Sequence, residues 1–192
     1  MSVVAVHDVR QDRKFGLPQR AGADTHLCAF PGSLPFQHQC VVPLRLQARA
    51  DCQHLRILQK ILTKLEESYH VFTTQTGFGS VFLAIFSVVR PGDEILVADP
   101  VYSPTRVLTE SYLKEFNIKT IFYDPHNLKT LQENITSKSK LIFVENPGSN
   151  TFDFQDLNKI ISIAKKNKIY TAIDNTWGTP YYLKPIKIGF DM

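Results

Sequence analysis

From residue 54 onward, apolar positions alternate between two periods. Leu55, Leu58, Ile61, Leu62 and Leu65 recur at helical spacing and predict an amphipathic helix from His54 to Ser68. Val71-Phe72-Thr73-Thr74 predicts a short strand. Gly77 to Val89 is almost wholly apolar and too long for a strand, which predicts a buried helix. Pro91-Gly92-Asp93 is a turn, and Glu94 to Ala98 a strand. Ser103-Pro104 opens a helix with a capping hydroxyl and a proline at the first helical position. Val107, Leu108, Tyr112 and Leu113 supply its apolar face. A strand from Ile118 to Tyr123, a short helix from Leu128 to Ile135 and a strand from Leu141 to Val144 follow. Asp153 or a neighbour caps the next helix, whose stripe is Leu157, Ile160, Ile161 and Ala164. Ile169 to Ile173 is the last strand of the series.

Strands that alternate with helices imply right-handed crossovers and an α/β fold: a mainly parallel sheet with flanking helices. Glu145 and Asp174 each end an apolar strand, so both belong at the rim where such folds place their ligands. The first 56 residues read differently. They contain no Ile, Glu or Asn, hold all three Cys and most of the Arg, and show no periodicity. Residues 1–55 are therefore read as a poorly ordered extension carrying no site residue, and 56–192 as the folded part. A transit peptide is the weaker reading, because Asp, Pro and Gln interrupt any amphipathic helix there.

Composition narrows the function classes. A formal charge of +4, scattered along the chain, does not argue for nucleic acid. Lys165-Lys166-Asn167-Lys168 is the densest basic run, and it falls where cations complement a helix C-terminus. No apolar run approaches a membrane span, and no secretory segment follows Met1, so a cytoplasmic location is expected. Cys28, Cys40 and Cys52 have neither zinc-ligand spacing nor an even count, so neither a metal site nor a disulfide framework is expected.

Three features converge on the rim. Thr74-Gln75-Thr76-Gly77-Phe78-Gly79-Ser80 joins a strand to a helix; small residues there let backbone N–H groups approach an anion at the helix start. Asp99-Pro100-Val101-Tyr102-Ser103-Pro104 sets an aromatic between prolines, able to lie flat against a planar ligand or simply to pack in its loop. Asp174, before Asn175-Thr176-Trp177, can neutralise a cationic ring nitrogen or cap its own turn. Glu145-Asn146-Pro147-Gly148-Ser149 either lines a substrate site or is a turn. An anion cradle, an aromatic platform and a carboxylate together meet the needs of pyridoxal 5′-phosphate.

From about residue 55 to the end, the chain resembles the Cys/Met-metabolism pyridoxal-phosphate enzymes, the trans-sulfuration family of fold type I. Asp174-Asn175-Thr176-Trp177 matches that family's aspartate motif, and Trp177 and Glu145-Asn146-Pro147-Gly148-Ser149 resemble its β-lyase branch. The resemblance implies that the backbone at Gly77 and Phe78 holds the cofactor phosphate and that Tyr102 stacks on the ring and assists proton transfer. It also implies that Asp174 pairs with the pyridine nitrogen and that Ser149 lies near a small amino-acid substrate. The implied fold is part of the fold type I large domain. The implied reaction is β-elimination from cystathionine, giving homocysteine, pyruvate and ammonia, in homotetramers.

The resemblance also has gaps. Relatives carry a Schiff-base lysine beyond the aspartate, in a motif that Lys184 and Lys187 do not match. No Tyr-x-Arg phosphate element precedes Tyr69, and no C-terminal domain follows. The expectation is a chain without a catalytic lysine, inactive alone, completed by a separately encoded second half or persisting as a non-catalytic module that binds the cofactor weakly.

Overall fold

The computed structural model describes residues 2–6 and 42–192. Strand β1 (Ser2–Val6) pairs antiparallel with β2 (His70–Thr74), with Ser2 opposite Thr74. Between them lies helix α1 (Val42–Leu65), which starts a dozen residues before the expected His54. The change in composition at residue 56 therefore falls inside one helix. Of the first segment, residues 7–41 lie outside the described residues, and with them Cys28 and Cys40. Strand β1 was not legible as a strand, since five residues of a Val-rich run carry no period of their own.

Helix α2 (Gly77–Val88) begins where the pattern placed it. It is not wholly buried, however. Ser80, Val81, Ala84 and Ile85 face inward, while Phe82 and Leu83 are about 40% exposed. An apolar helix cannot tell from its own sequence how many of its faces will find a neighbour. Strand β3 (Glu94–Ala98) is buried at all five positions. Helix α3 (Ser103–Val107) has Tyr102, not Ser103, at its N-cap, with no side-chain capping bond. It widens into a π-helical turn over Leu108–Tyr112 before the short α4 (Leu113–Glu115). The wide turn directs the Leu113 N–H to Leu108 and leaves the Thr109 carbonyl to the Thr120 hydroxyl, 2.6 Å away. Leu108 and Leu113 are buried as expected, but Val107 and Tyr112 are half exposed.

Strand β4 (Lys119–Tyr123), helix α5 (Leu128–Glu133), strand β5 (Ser139–Glu145), helix α6 (Leu157–Asn167) and strand β6 (Tyr170–Asp174) follow the predicted order. Asp156, not Asp153, caps α6 by accepting the Lys159 N–H at 3.0 Å. Two short helices, α7 (Thr179–Tyr182) and α8 (Pro185–Ile188), complete the chain.

The central sheet has the order β4-β3-β5-β6, all parallel. Alternation along β3 divides the core. Leu96 and Ala98 join Tyr123, Ile142, Ile160 and Ile161 on the α5–α6 face. Ile95 and Val97 join Ile85, Leu108, Leu113 and Phe143 on the α2–α4 face. The result is a parallel sheet covered on both sides, as an α/β fold requires. Residues after α8 run along β6: Phe190 is fully buried, and Met192 exchanges backbone bonds with Thr171 and Ile173. Among the described residues, no helix is long and apolar enough to cross a membrane, and no group of His, Cys, Asp and Glu is arranged to hold a metal.

Candidate functional site

The rim is built by the C-terminal ends of the parallel strands. β5 and β6 pair in register so that Glu145 lies opposite Asp174, which puts the two strand-end carboxylates side by side.

The first wall comes from the β2–α2 joint. Thr76 caps α2, its hydroxyl accepting the Gly79 N–H at 3.0 Å and its carbonyl the Ser80 N–H at 3.2 Å. The hydroxyls of Thr74 and Ser80 lie 2.6 Å apart and close the joint from within. A Cβ on Gly79 would lie 3.2 Å from the Thr76 hydroxyl, so the cap itself favours glycine. Of the N–H groups that a helix start leaves open, the cap thus satisfies that of Gly79, while the Ser80 N–H makes the first intrahelical bond. Those of Gly77 and Phe78 have no acceptor among the described residues, and the helix dipole adds positive character at the same point.

Opposite them is Asp174. Its Oδ1 accepts both the backbone N–H of Thr176, at 3.0 Å, and the Thr176 hydroxyl. Turn capping therefore occurs, but it uses one carboxylate oxygen and leaves Oδ2 for a ligand. Gly77 and Asp174 line one cavity of about 260 Å³, together with Ser80, Ala172, Val4 and Glu66. Burial raises the Glu66 carboxyl above its usual range, with Lys184 opposing. Neither Val4 nor Glu66 is recognisable from sequence as a site residue; strand β1 and the end of α1 bring them there.

Tyr102, Phe78 and Ser149 do not line that cavity. Phe78 and Tyr102 are 41% and 49% exposed. Tyr102 is nonetheless tied to the rim, since its backbone N–H donates to Glu145 Oε2 at 2.6 Å. Ser149 donates its backbone N–H to the Pro100 carbonyl at 2.8 Å, and its side chain stands near enough to favour the charged form of Glu145. The Asp99–Pro104 loop and the Glu145–Ser149 turn therefore form one unit. Glu145 itself is only 4% exposed. Burial pushes its carboxyl up to about 7, Asp174 adds repulsion, and the Tyr102 bond and the Ser149 side chain oppose the rise. Sequence placed Glu145 on the rim but not this junction; the available signal was a carboxylate that ends a wholly apolar strand.

No lysine lines the cavity among the described residues. Lys184 and Lys187 both pair with Glu67, and their hydrogen bonds, helped by their charges, hold it below the usual carboxylate range.

A family model for the Cys/Met metabolism PLP-dependent enzymes matches residues 48–192. The chain belongs to this family. A cystathionine beta-lyase of Bordetella avium is 30% identical over 132 residues, covering 69% of this chain and 33% of the relative. An L-alanine/L-glutamate racemase of Wolbachia pipientis is 32% identical over 135 residues, covering 70% and 33%. Among solved structures, the cystathionine gamma-lyase of Lactobacillus plantarum complexed with L-serine superposes with a TM-score of 0.64 at 29% identity, over 67% of this chain and 34% of that one. The chain spans 33% to 40% of the length of the first curated relatives it matches.

Pyridoxal 5′-phosphate is the cofactor of this family. The donor set fits it: unpartnered N–H groups at a helix start suit a phosphate, and a carboxylate across the same cavity suits a pyridinium nitrogen.

Proposed function

We propose that residues 48–192 form the cofactor-binding part of a carbon–sulfur lyase of the cystathionine β-lyase type. Its reaction would eliminate homocysteine from cystathionine and, with water, release pyruvate and ammonia. The observation that carries this reading is the single cavity shared by the α2 start and the Asp174 carboxylate. The Asp174–Trp177 motif and a putative cystathionine beta-lyase of Saccharomyces cerevisiae, 36% identical over 135 residues, support that branch.

When bound, pyridoxal 5′-phosphate supplies an electron sink for bond breaking beside the substrate's amino group. The chain's own residues would do the rest by position. The Gly77 and Phe78 N–H groups would bind the phosphate. Asp174 Oδ2 would hold the proton on the ring nitrogen, with Oδ1 fixed by Thr176. Tyr102 would cover the ring face, and Ser149 would stand on the substrate side. Turnover would need a lysine base that no described residue brings to the cavity.

Trp177, the chain's single tryptophan, lies three residues from Asp174 and would report binding. Titration with pyridoxal 5′-phosphate is expected to quench it saturably, with inorganic phosphate competing. Asp174→Asn, which removes a charged bond worth roughly 1.5–3 kcal/mol, is expected to weaken binding by about 10-fold or more. Borohydride reduction and peptide mapping are expected to leave every lysine free of a stoichiometric adduct. An absence of saturable quenching would sink the cofactor reading, and one fully labelled lysine would sink the non-covalent one. A second reading, a module that binds the cofactor without turnover, rests on a cavity lining that carries no lysine among the described residues. Pyruvate release from cystathionine, assayed with the chain alone and with a second polypeptide carrying the lysine, separates the two.

A further inference from the structure

Glu145 is the residue that the proposed chemistry leaves without a task. It ends the interior strand β5, is 4% exposed, and lies opposite Asp174 in the sheet register. Its own backbone is held by a buried network. Gln155 donates its side-chain amide to the Glu145 carbonyl at 3.0 Å and its backbone N–H to Asn146 Oδ1 at 2.8 Å. The Tyr123 hydroxyl, fully buried, donates to Gln155 Oε1 at 2.9 Å. The strand end is thus held from behind, and the carboxylate it carries reaches the Tyr102 loop, which the Ser149 N–H joins at Pro100.

We propose that Glu145 is a positioning residue: it fastens the Tyr102 loop, to which the Ser149 turn is tied through Pro100, to the strand end beside Asp174, so that ring platform and nitrogen partner keep one geometry. The proposal rests on the reading of Asp174 and Tyr102 as cofactor residues. A buried carboxylate is costly unless hydrogen-bonded, and the Tyr102 N–H supplies the bond that Glu145 has in place of water. Main-chain capture also explains how the clasp works. Glu145 holds Tyr102 by its N–H, so the phenol ring stays at liberty to meet a ligand.

The clasp is linked to Asp174 by charge. The groups facing Glu145 are Asp174 on β6, Tyr102 on the β3–α3 loop and Ser149 on the β5–α6 connection. The first repels its charged form and the other two favour it. A cation beside Asp174 cancels that repulsion, so pyridinium binding would ionise Glu145 and strengthen the hold on Tyr102. By linkage, an ionised Glu145 strengthens binding in return.

The test is the pH dependence of the Tyr102 amide proton in the full chain, followed by NMR from pH 5.5 to pH 8.5. The expected result is a sigmoidal shift that disappears in Glu145→Gln and moves to higher pH in Ser149→Ala. Adding pyridoxal 5′-phosphate should move the same midpoint lower. The wild-type titration needs no variant to fold. A Tyr102 amide that is flat across the range, or that titrates unchanged in Glu145→Gln, overturns the proposal. A Tyr102 shift that persists while the cofactor leaves the Gly77 and Phe78 amides untouched sinks the cofactor reading instead, and leaves the clasp standing.

Discussion

Glu145 and Asp174 sit on neighbouring strands with their side chains in unlike surroundings. Asp174 has a hydroxyl and an N–H on one oxygen, whereas Glu145 is enclosed by protein. The consequence is a pH signature in stability. Burial holds a proton on Glu145 of the folded chain up to about pH 7, while the unfolded chain releases it near its ordinary 4.5. Between those values the native state binds more protons, so stability falls as pH rises and its full cost is present above 7. Glu66, also raised by burial, adds in the same direction. Thermal unfolding from pH 5.5 to pH 8 should therefore show a falling midpoint. Glu145→Gln should flatten that slope without abolishing it, and an unchanged slope in the variant would contradict the assignment. Sequence could nominate both carboxylates from their place at strand ends. It could not rank their burial, which depends on the Tyr102 loop folding over one of them.

Elements were the most legible scale. Strand β3 and the start of α2 lie where hydrophobic period and turn residues placed them, because both signals are local. Failures came where a distant partner decides. Ser103 became the first helical residue rather than the cap once Tyr102 was drawn to Glu145. The π turn in Leu108–Tyr112 depends on a hydroxyl from β4. The cap of α2 is the element on which the proposed phosphate site rests. Thr76→Ala removes its bond to Gly79 and should cost about 1 kcal/mol, read as a lower urea midpoint at constant slope. Thr76→Ser keeps the oxygen and should recover most of it. Equal stability of Thr76→Ala and wild type would mean that the cap carries no weight.

At the scale of the whole molecule, the two-sided core extends to the last residues. Phe190 is fully buried on the α5–α6 face, and Asp191 Oδ2 accepts both the N–H of Thr171, at 2.8 Å, and its hydroxyl, at 2.9 Å. The tail thereby holds β6, and with it Asp174. Phe190→Ala should cost about 3–5 kcal/mol in chemical denaturation and weaken cofactor binding through the loosened strand. A variant as stable as wild type would show the tail to be dispensable. Elsewhere the surface is aromatic. Tyr181 and Tyr182 are each 82% exposed, and Phe154 is 73% exposed. No periodicity along the chain marked these residues as uncovered.

The alternation of periods by itself determined an α/β order and put Glu145 and Asp174 at strand ends. It did so because pleat, helical turn and strand polarity are properties of neighbouring residues. Tertiary structure alone decided the rest. Register set Asp174 beside Glu145, long-range pairing brought Val4 and Glu66 to the cavity, and burial gave one carboxylate a proton near neutral pH. Each of these depends on atoms far apart in the chain, whose approach no local pattern encodes.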